Sequence, residues 1–129
     1  MARKHRTETV LIIEDEADIR TFASRVLELE GYRILQAENG DTGLRLVRET
    51  QVALVLLDLQ LPERNGWAVL AELKSDAALS AIPVIMFTAS AAVAQRDRAL
   101  NTGAADYLTK PLSAASLKTA VANVLRHKR

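Results

Sequence analysis

The chain has 129 residues, 49% hydrophobic and 26% charged, with a formal net charge of +1. That length suits one domain with a core of its own, and the composition is that of an ordinary globular chain. The absence of cysteine excludes disulfides, thiolate metal sites and thiol catalysis.

Short apolar runs alternate with helical patterns along the chain. Val10–Ile13 reads as a first strand. Ile19, Phe22, Ala23, Val26 and Leu27 then recur on one face of an amphipathic helix, which Gly31 ends as a left-handed residue would. Tyr32–Ala37 reads as a more polar strand at a sheet edge. Asn39-Gly40 is a turn, and Asp41 is placed to cap a helix carrying Leu44 and Val47. Val52–Leu57 is apolar on both faces, the pattern of a central parallel strand. Pro62 and Asn65-Gly66 mark a loop, and Trp67, Leu70 and Leu73 follow at helical spacing, with Trp67 read as packing. Pro83 opens the strand Val84–Phe87. Ser90 is placed to cap a helix bearing Val93, Ala94 and Leu100 that stops at Thr102-Gly103. Asp106–Leu108 is a fifth strand. Ser113 caps the last helix, with Leu117, Ala120, Val121, Val124 and Leu125 on one face.

Five strands and five helices in strict alternation argue for a doubly wound parallel α/β sheet with right-handed crossovers. One domain is expected over residues 10–125, between a basic tail at 1–9 and a basic end at 126–129. Arg3, Lys4, Arg6, Arg126, Lys128 and Arg129 hide the charge of the body: subtracting these six from 17 basic residues leaves 11 against 16 acids, a net of −5. An acidic body argues against nucleic acid as the main ligand. The basic start leads into only four apolar residues before Glu14, which is too few for a signal peptide. No stretch approaches the roughly 20 apolar residues of a membrane span. The expected location is the cytoplasm. His5 and His127 lie in the terminal segments, which disfavours a histidine-based catalytic centre.

The chemistry concentrates at strand ends. Asp58 follows the most apolar run, Glu14-Asp15 follows the first strand, and Lys110 follows Tyr107-Leu108-Thr109. In a parallel α/β sheet the carboxyl ends of the strands line the ligand crevice. Adjacent acids there repel each other unless a cation sits among them, and a buried unpaired carboxylate is costly. Hard carboxylate oxygens suit Mg²⁺ (or Mn²⁺), and an ammonium suits phosphoryl oxygens. Thr88 ends the fourth strand beside the small Ala89. Gln60 is a loop residue whose carbonyl is placed to ligate metal. On spacing alone, Tyr107 reads as core.

The ordered set Ile13-Glu14-Asp15-Glu16, Leu57-Asp58-Leu59-Gln60-Leu61-Pro62, Asn65-Gly66, Phe87-Thr88-Ala89, Gly103-Ala104-Ala105-Asp106-Tyr107 and Leu108-Thr109-Lys110-Pro111 resembles the receiver domain of two-component response regulators. The resemblance covers essentially the whole chain and implies a flavodoxin-like (βα)5 fold with sheet order 2-1-3-4-5, the order the chemotaxis receivers exemplify. It implies that Asp58 is the phosphoacceptor, that Glu14 and Asp15 form the acidic pair of a Mg²⁺ site with Asp15 the direct ligand, and that the Gln60 carbonyl also ligates. It implies that Thr88 and Lys110 contact the phosphoryl group, that Tyr107 is the aromatic switch, that Gln60 and Ser90 tune self-dephosphorylation, and that the Lys110-Pro111 bond is cis. The implied donor is a sensor histidine kinase or histidine phosphotransfer protein. The implied output is a downstream effector or a homodimer through the face of helix four, strand five and helix five. Such a protein is not a classical enzyme, although it promotes its own phosphorylation and slow dephosphorylation. Two departures are Glu14 where Asp is more frequent and Asn65 where Asp is common.

Three rival readings compete with this one. A nucleotide-binding module of this fold needs a glycine-rich turn where Glu14-Asp15-Glu16 stands. A haloacid-dehalogenase-like phosphatase needs an acid two residues after its nucleophile, where Gln60 stands. A phosphorylation-independent interaction module, or a phosphate relay or sink, remains as the alternative on the same scaffold.

Overall fold

A computed structural model describes residues 8–61, 65–89 and 92–128. Five strands, β1 (Thr9–Ile13), β2 (Arg33–Ala37), β3 (Leu54–Asp58), β4 (Val84–Thr88) and β5 (Asp106–Thr109), alternate with α1 (Ala17–Leu29), α2 (Gly40–Glu49), α3 (Gly66–Ser75), α4 (Val93–Thr102) and α5 (Ala114–Lys128). All pairings are parallel, and the order is β2-β1-β3-β4-β5. Among the described residues no helix is long and apolar enough to cross a membrane.

The two-residue period of the strands splits the core into two layers. Leu11, Ile13, Val55, Leu57, Val84 and Met86 point to one face, where Leu44 and Val47 of α2, Leu70 and Leu73 of α3 and Ala99 of α4 cover them. Val10, Ile12, Leu54, Leu56, Ile85 and Phe87 point to the other, under Ala23 and Leu27 of α1 and Leu117 and Val121 of α5. Because β3 and β4 are covered on both sides, every residue in them is buried. Truncating a fully buried leucine there, such as Leu56 or Leu57, should cost about 2–5 kcal/mol through lost transfer energy and the cavity left behind.

Several local expectations shift. Asn39, not Asp41, caps α2: its side-chain oxygen accepts from Thr42 N at 2.8 Å, and Asp41 lies in the first turn, where a negative charge suits the helix dipole. The third strand starts at Leu54 rather than Val52 and includes Asp58 itself, and the second begins one residue after Tyr32. The expected first-turn cap Ser90 lies outside the described residues, as do Pro62 and the tail 1–7; Ala92 occupies the N-cap position of α4 without a side-chain bond. The apolar face expected on that helix is also displaced, since Val93 is 71% exposed and Leu100 37%, while Ala99 makes the buried contact. Ser113 does cap α5, accepting from Ser116 N at 3.0 Å. Gly31 and Gly103 terminate α1 and α4 with φ of 97° and 116°, values that disfavour side-chain-bearing residues. Thr9 belongs to β1, and α5 runs on through Arg126 to Lys128.

Candidate phosphoryl and metal site

Register brings the expected residues to one level. Ile13 lies opposite Leu57, so Glu14, the next residue, stands beside Asp58. Asp58 lies opposite Phe87, which places Thr88 one step beyond it. Thr109 lies opposite Thr88, and Lys110 extends from there. The strand order puts β1, β3 and β4 side by side at the centre, so a single end of the sheet collects residues distant in sequence.

The backbone around Asp58 is tightly constrained. Leu59 N donates to Phe87 O at 3.0 Å, and Gly66 N donates to Leu59 O at 2.9 Å. Asn65 caps α3 by accepting from Ala68 N at 2.9 Å. A Cβ at Gly66 would press on Asp58 O and would lie 2.6 Å from Leu59 Cα. Glycine there is what lets the start of α3 sit against the Asp58–Leu59 peptide.

The carboxylates of Glu14, Asp15 and Asp58 offer oxygens that all lie within 4.8 Å of one another. Glu14 and Asp58 are buried and Asp15 is exposed. Lys110 Nζ bridges the buried pair, 2.9 Å from Glu14 Oε1 and 3.4 Å from Asp58 Oδ1. The contact with Oε1 is an ion pair rather than a well-directed hydrogen bond. The ammonium also sits 5.3 Å from the centre of the Phe87 ring and 3.7 Å from Glu16, whose side chain is 63% exposed and adds little through water. Glu14 Oε2 accepts from Glu16 N at 2.8 Å, and Asp58 Oδ1 accepts from Gln60 N at 3.2 Å.

The charges are under stress. Burial pushes the Glu14 carboxyl from 4.5 up to about 7, and Asp58 adds to the rise, while the Glu16 amide and Lys110 oppose it. Burial also raises Asp58, against the Gln60 amide and Lys110. Burial works against the Lys110 ammonium, but Glu14 and Asp58 outweigh it and hold the group above its ordinary value. One cation is therefore not enough to make two buried carboxylates comfortable.

Of the residues expected at the site, Glu14, Asp15, Asp58 and Lys110 converge. Gln60 is exposed with its amide engaged by Asp58. Thr88 is fully buried, and its carbonyl accepts from Lys110 N at 2.7 Å. Tyr107, 7% exposed, packs in the core layer that holds Met86, Ala99 and Ala104. The Lys110–Pro111 bond is cis. Sequence reasoning missed Arg20, whose guanidinium reaches the Glu14 carbonyl at 2.8 Å. The available signal was a basic residue one turn after Glu16 in the first helix. It also missed Arg98, whose guanidinium carbon lies 4.0 Å from the centre of the Trp67 ring.

Comparison with known proteins agrees with this geometry. The profile of the response regulator receiver domain matches residues 10–122. The chain is 36% identical over 123 residues to the probable transcriptional regulator ycf27 of Porphyra purpurea, covering 95% of this chain and 49% of that protein. It is 38% identical over 117 residues to the phosphate regulon transcriptional regulatory protein PhoB of Escherichia coli strain K12, covering 91% of this chain and 51% of that one. It thus spans about half the length of these curated relatives. A CheY-like receiver domain structure from Methanospirillum hungatei superposes with a TM-score of 0.88 at 26% identity, over 95% of this chain and 97% of that one. With the profile running from β1 into α5 and the strand order the same as expected, the chain belongs to the response regulator receiver domain family.

Proposed function

We propose that this domain accepts a phosphoryl group from a histidine kinase or histidine phosphotransfer protein onto Asp58, in a reaction that needs Mg²⁺ or Mn²⁺. The observation that carries the reading is the buried Glu14–Lys110–Asp58 bridge beside the exposed Asp15. Three carboxylates face one close ammonium, and burial raises the Glu14 and Asp58 carboxyls. That donor set fits a hard divalent cation. Glu14 already has one oxygen on the Glu16 amide and the other on Lys110, so Asp15 and Asp58 are the side chains left to ligate directly, with the Gln60 carbonyl as the backbone ligand. When bound, the metal would supply Lewis-acid charge compensation to the phosphoryl oxygens.

The protein's own part is positioning and electrostatics. The Gln60 amide and Lys110 hold Oδ1 and so fix the Asp58 carboxylate. An Asp58 oxygen attacks phosphorus, the P–N bond to the donor imidazole breaks, and that imidazole leaves with the nitrogen electron pair. Lys110 meets the charge on the phosphoryl oxygens. Thr88, at the end of β4, contacts the phosphoryl group in the product. The acyl phosphate is later lost to water, at a rate that Gln60 and Ser90 tune. Response then passes through Thr88 and Tyr107 to the α4–β5–α5 face, where an effector or a second copy docks; the curated relatives, being transcriptional regulators, favour an effector. The cytoplasm is the proposed site of the reaction.

Intact-mass measurement after incubation with phosphoramidate tests the reading. One phosphoryl group should appear with MgCl₂, none with EDTA, and none in Asp58→Asn. Equal labelling of Asp58→Asn would overturn the assignment and favour the phosphorylation-independent alternative.

A further inference from the structure

Arg20 stands on α1, outside the cluster of acids, and among the described residues its guanidinium bonds to carbonyl oxygens rather than to a carboxylate. Its side chain reaches back over the β1–α1 turn instead. Nη1 donates to the Glu14 carbonyl at 2.8 Å and, more weakly, toward the Asp15 carbonyl at 3.4 Å. Nε donates to Gln36 Oε1 at 3.1 Å, which ties the same guanidinium to the end of β2. Arg20 N also donates to Glu16 O at 3.0 Å, so its own backbone closes the first turn of α1 on that segment.

We propose that Arg20 is the positioning residue of the metal site, a guanidinium fork that fixes the Glu14–Asp15 and Asp15–Glu16 peptide planes and thereby aims the two acids at one point. The inference rests on the metal-dependent reading above. The need for such a clamp is local. Glu14 is pinned by its own amide, which donates to Ala37 O at 3.0 Å, and by its carboxylate contacts. Asp15 is exposed, and its side chain has no such burial to orient it. The orientation of its carboxylate depends on the peptides either side of it, and those carbonyls are the ones Arg20 holds. A planar fork can serve carbonyls and the Gln36 amide at once, which a single ammonium cannot. The guanidinium also brings a fixed positive charge to the backbone side of the acids. There it orders them without competing for the space a cation would take.

Outer contacts of this kind commonly alter metal affinity by about 10–100-fold. The test is calorimetric titration of the intact chain with MgCl₂, paired with phosphoramidate labelling rates across Mg²⁺ concentrations and thermal melts in EDTA. Arg20→Ala should weaken Mg²⁺ binding about tenfold and shift the Mg²⁺ dependence of labelling by the same factor. Its rate at saturating Mg²⁺ should return close to that of wild type. Arg20→Lys should recover part of the affinity, and Gln36→Ala, which removes only the far anchor, should lose less. The last two variants also carry the test if Arg20→Ala does not melt cooperatively. Mg²⁺ affinity within twofold of wild type in Arg20→Ala would overturn the proposal. So would a labelling rate that stays low at saturating Mg²⁺, since that is the mark of a damaged fold. Wild type that binds no Mg²⁺ would instead sink the metal reading itself, a result the wild-type titration alone delivers.

Discussion

The stress on Glu14 should be visible as an unusual pH dependence of stability. The folded carboxyl titrates at about 7 against 4.5 when unperturbed, with burial as the main cause. Between those values the native state holds a proton that the unfolded state has released. Unfolding free energy must then fall as pH rises through that window, and the contribution is present in full only below about 4.5. At about 1.4 kcal/mol per unit the loss is about 3 kcal/mol by pH 7.5. Asp58, also raised by burial, adds to the fall in the same direction. The side chain of Glu14 is 0% exposed, so solvent screening does not dilute the effect. Urea melts in EDTA across roughly pH 5 to 8 measure the slope. Wild type should lose stability toward the alkaline end, and MgCl₂ should restore most of it there, because the cation binds the deprotonated site. Glu14→Gln should flatten the EDTA curve. A metal-free wild type whose stability holds steady or climbs over this range would refute the reasoning, as would an undiminished slope in Glu14→Gln.

Three further outcomes follow from the site. Thr88→Ala should still accept phosphate but transmit it poorly, because a hydrogen bond to a charged group is worth roughly 1.5–3 kcal/mol, comparable with the gap between such states; beryllofluoride titration followed by amide NMR should move α4, β5 and α5 in wild type but only the Asp58 pocket in the variant. Replacing Gln60 should change the decay rate of the acyl phosphate, read by intact mass over time, without preventing its formation; unchanged decay removes Gln60 from the hydrolysis step. Gly66→Ala should destabilise the domain by about 1–3 kcal/mol, since its Cβ has only backbone to displace, and should slow labelling at Asp58; a melt and labelling rate equal to wild type would show that the contact is relieved cheaply.

The fold was legible because its central strands, β1, β3 and β4, are buried on both faces. Val10–Ile13 and the run ending at Leu57 could be read as parallel strands from continuous apolarity alone, and β2, more polar, does sit at the edge. The helix starts were less legible where several capping residues compete. Asn39 and Asp41 are both good caps, and only the backbone decides between them, Asn39 being extended and Gly40 already helical. On α4, Val93 and Leu100 imitate a core stripe, but small Ala99 is the residue that reaches the sheet. Sequence patterns count hydrophobic residues and do not see how close a helix lies.

The site was legible for a different reason, since ionisable residues directly after apolar strands leave few innocent interpretations. What could not be read was the division of labour among the acids. Glu14 and Asp15 are adjacent, yet one is buried against Lys110 and the other faces solvent. With all three ionised, the carboxylates against one close ammonium leave two negative charges, the value a divalent cation cancels. Lys110 cannot satisfy Glu14 and Asp58 equally: it lies nearer Glu14, at 2.9 Å against 3.4 Å. A phosphoryl group on Asp58 would offer it several oxygens in place of one carboxylate and draw the ammonium toward that side. The same three charges that make the metal-free site uncomfortable therefore make it responsive. A cation offsets the charge and a phosphoryl group engages Lys110, and the backbone that holds Lys110, through Thr88 O, is the end of β4 from which α4 departs.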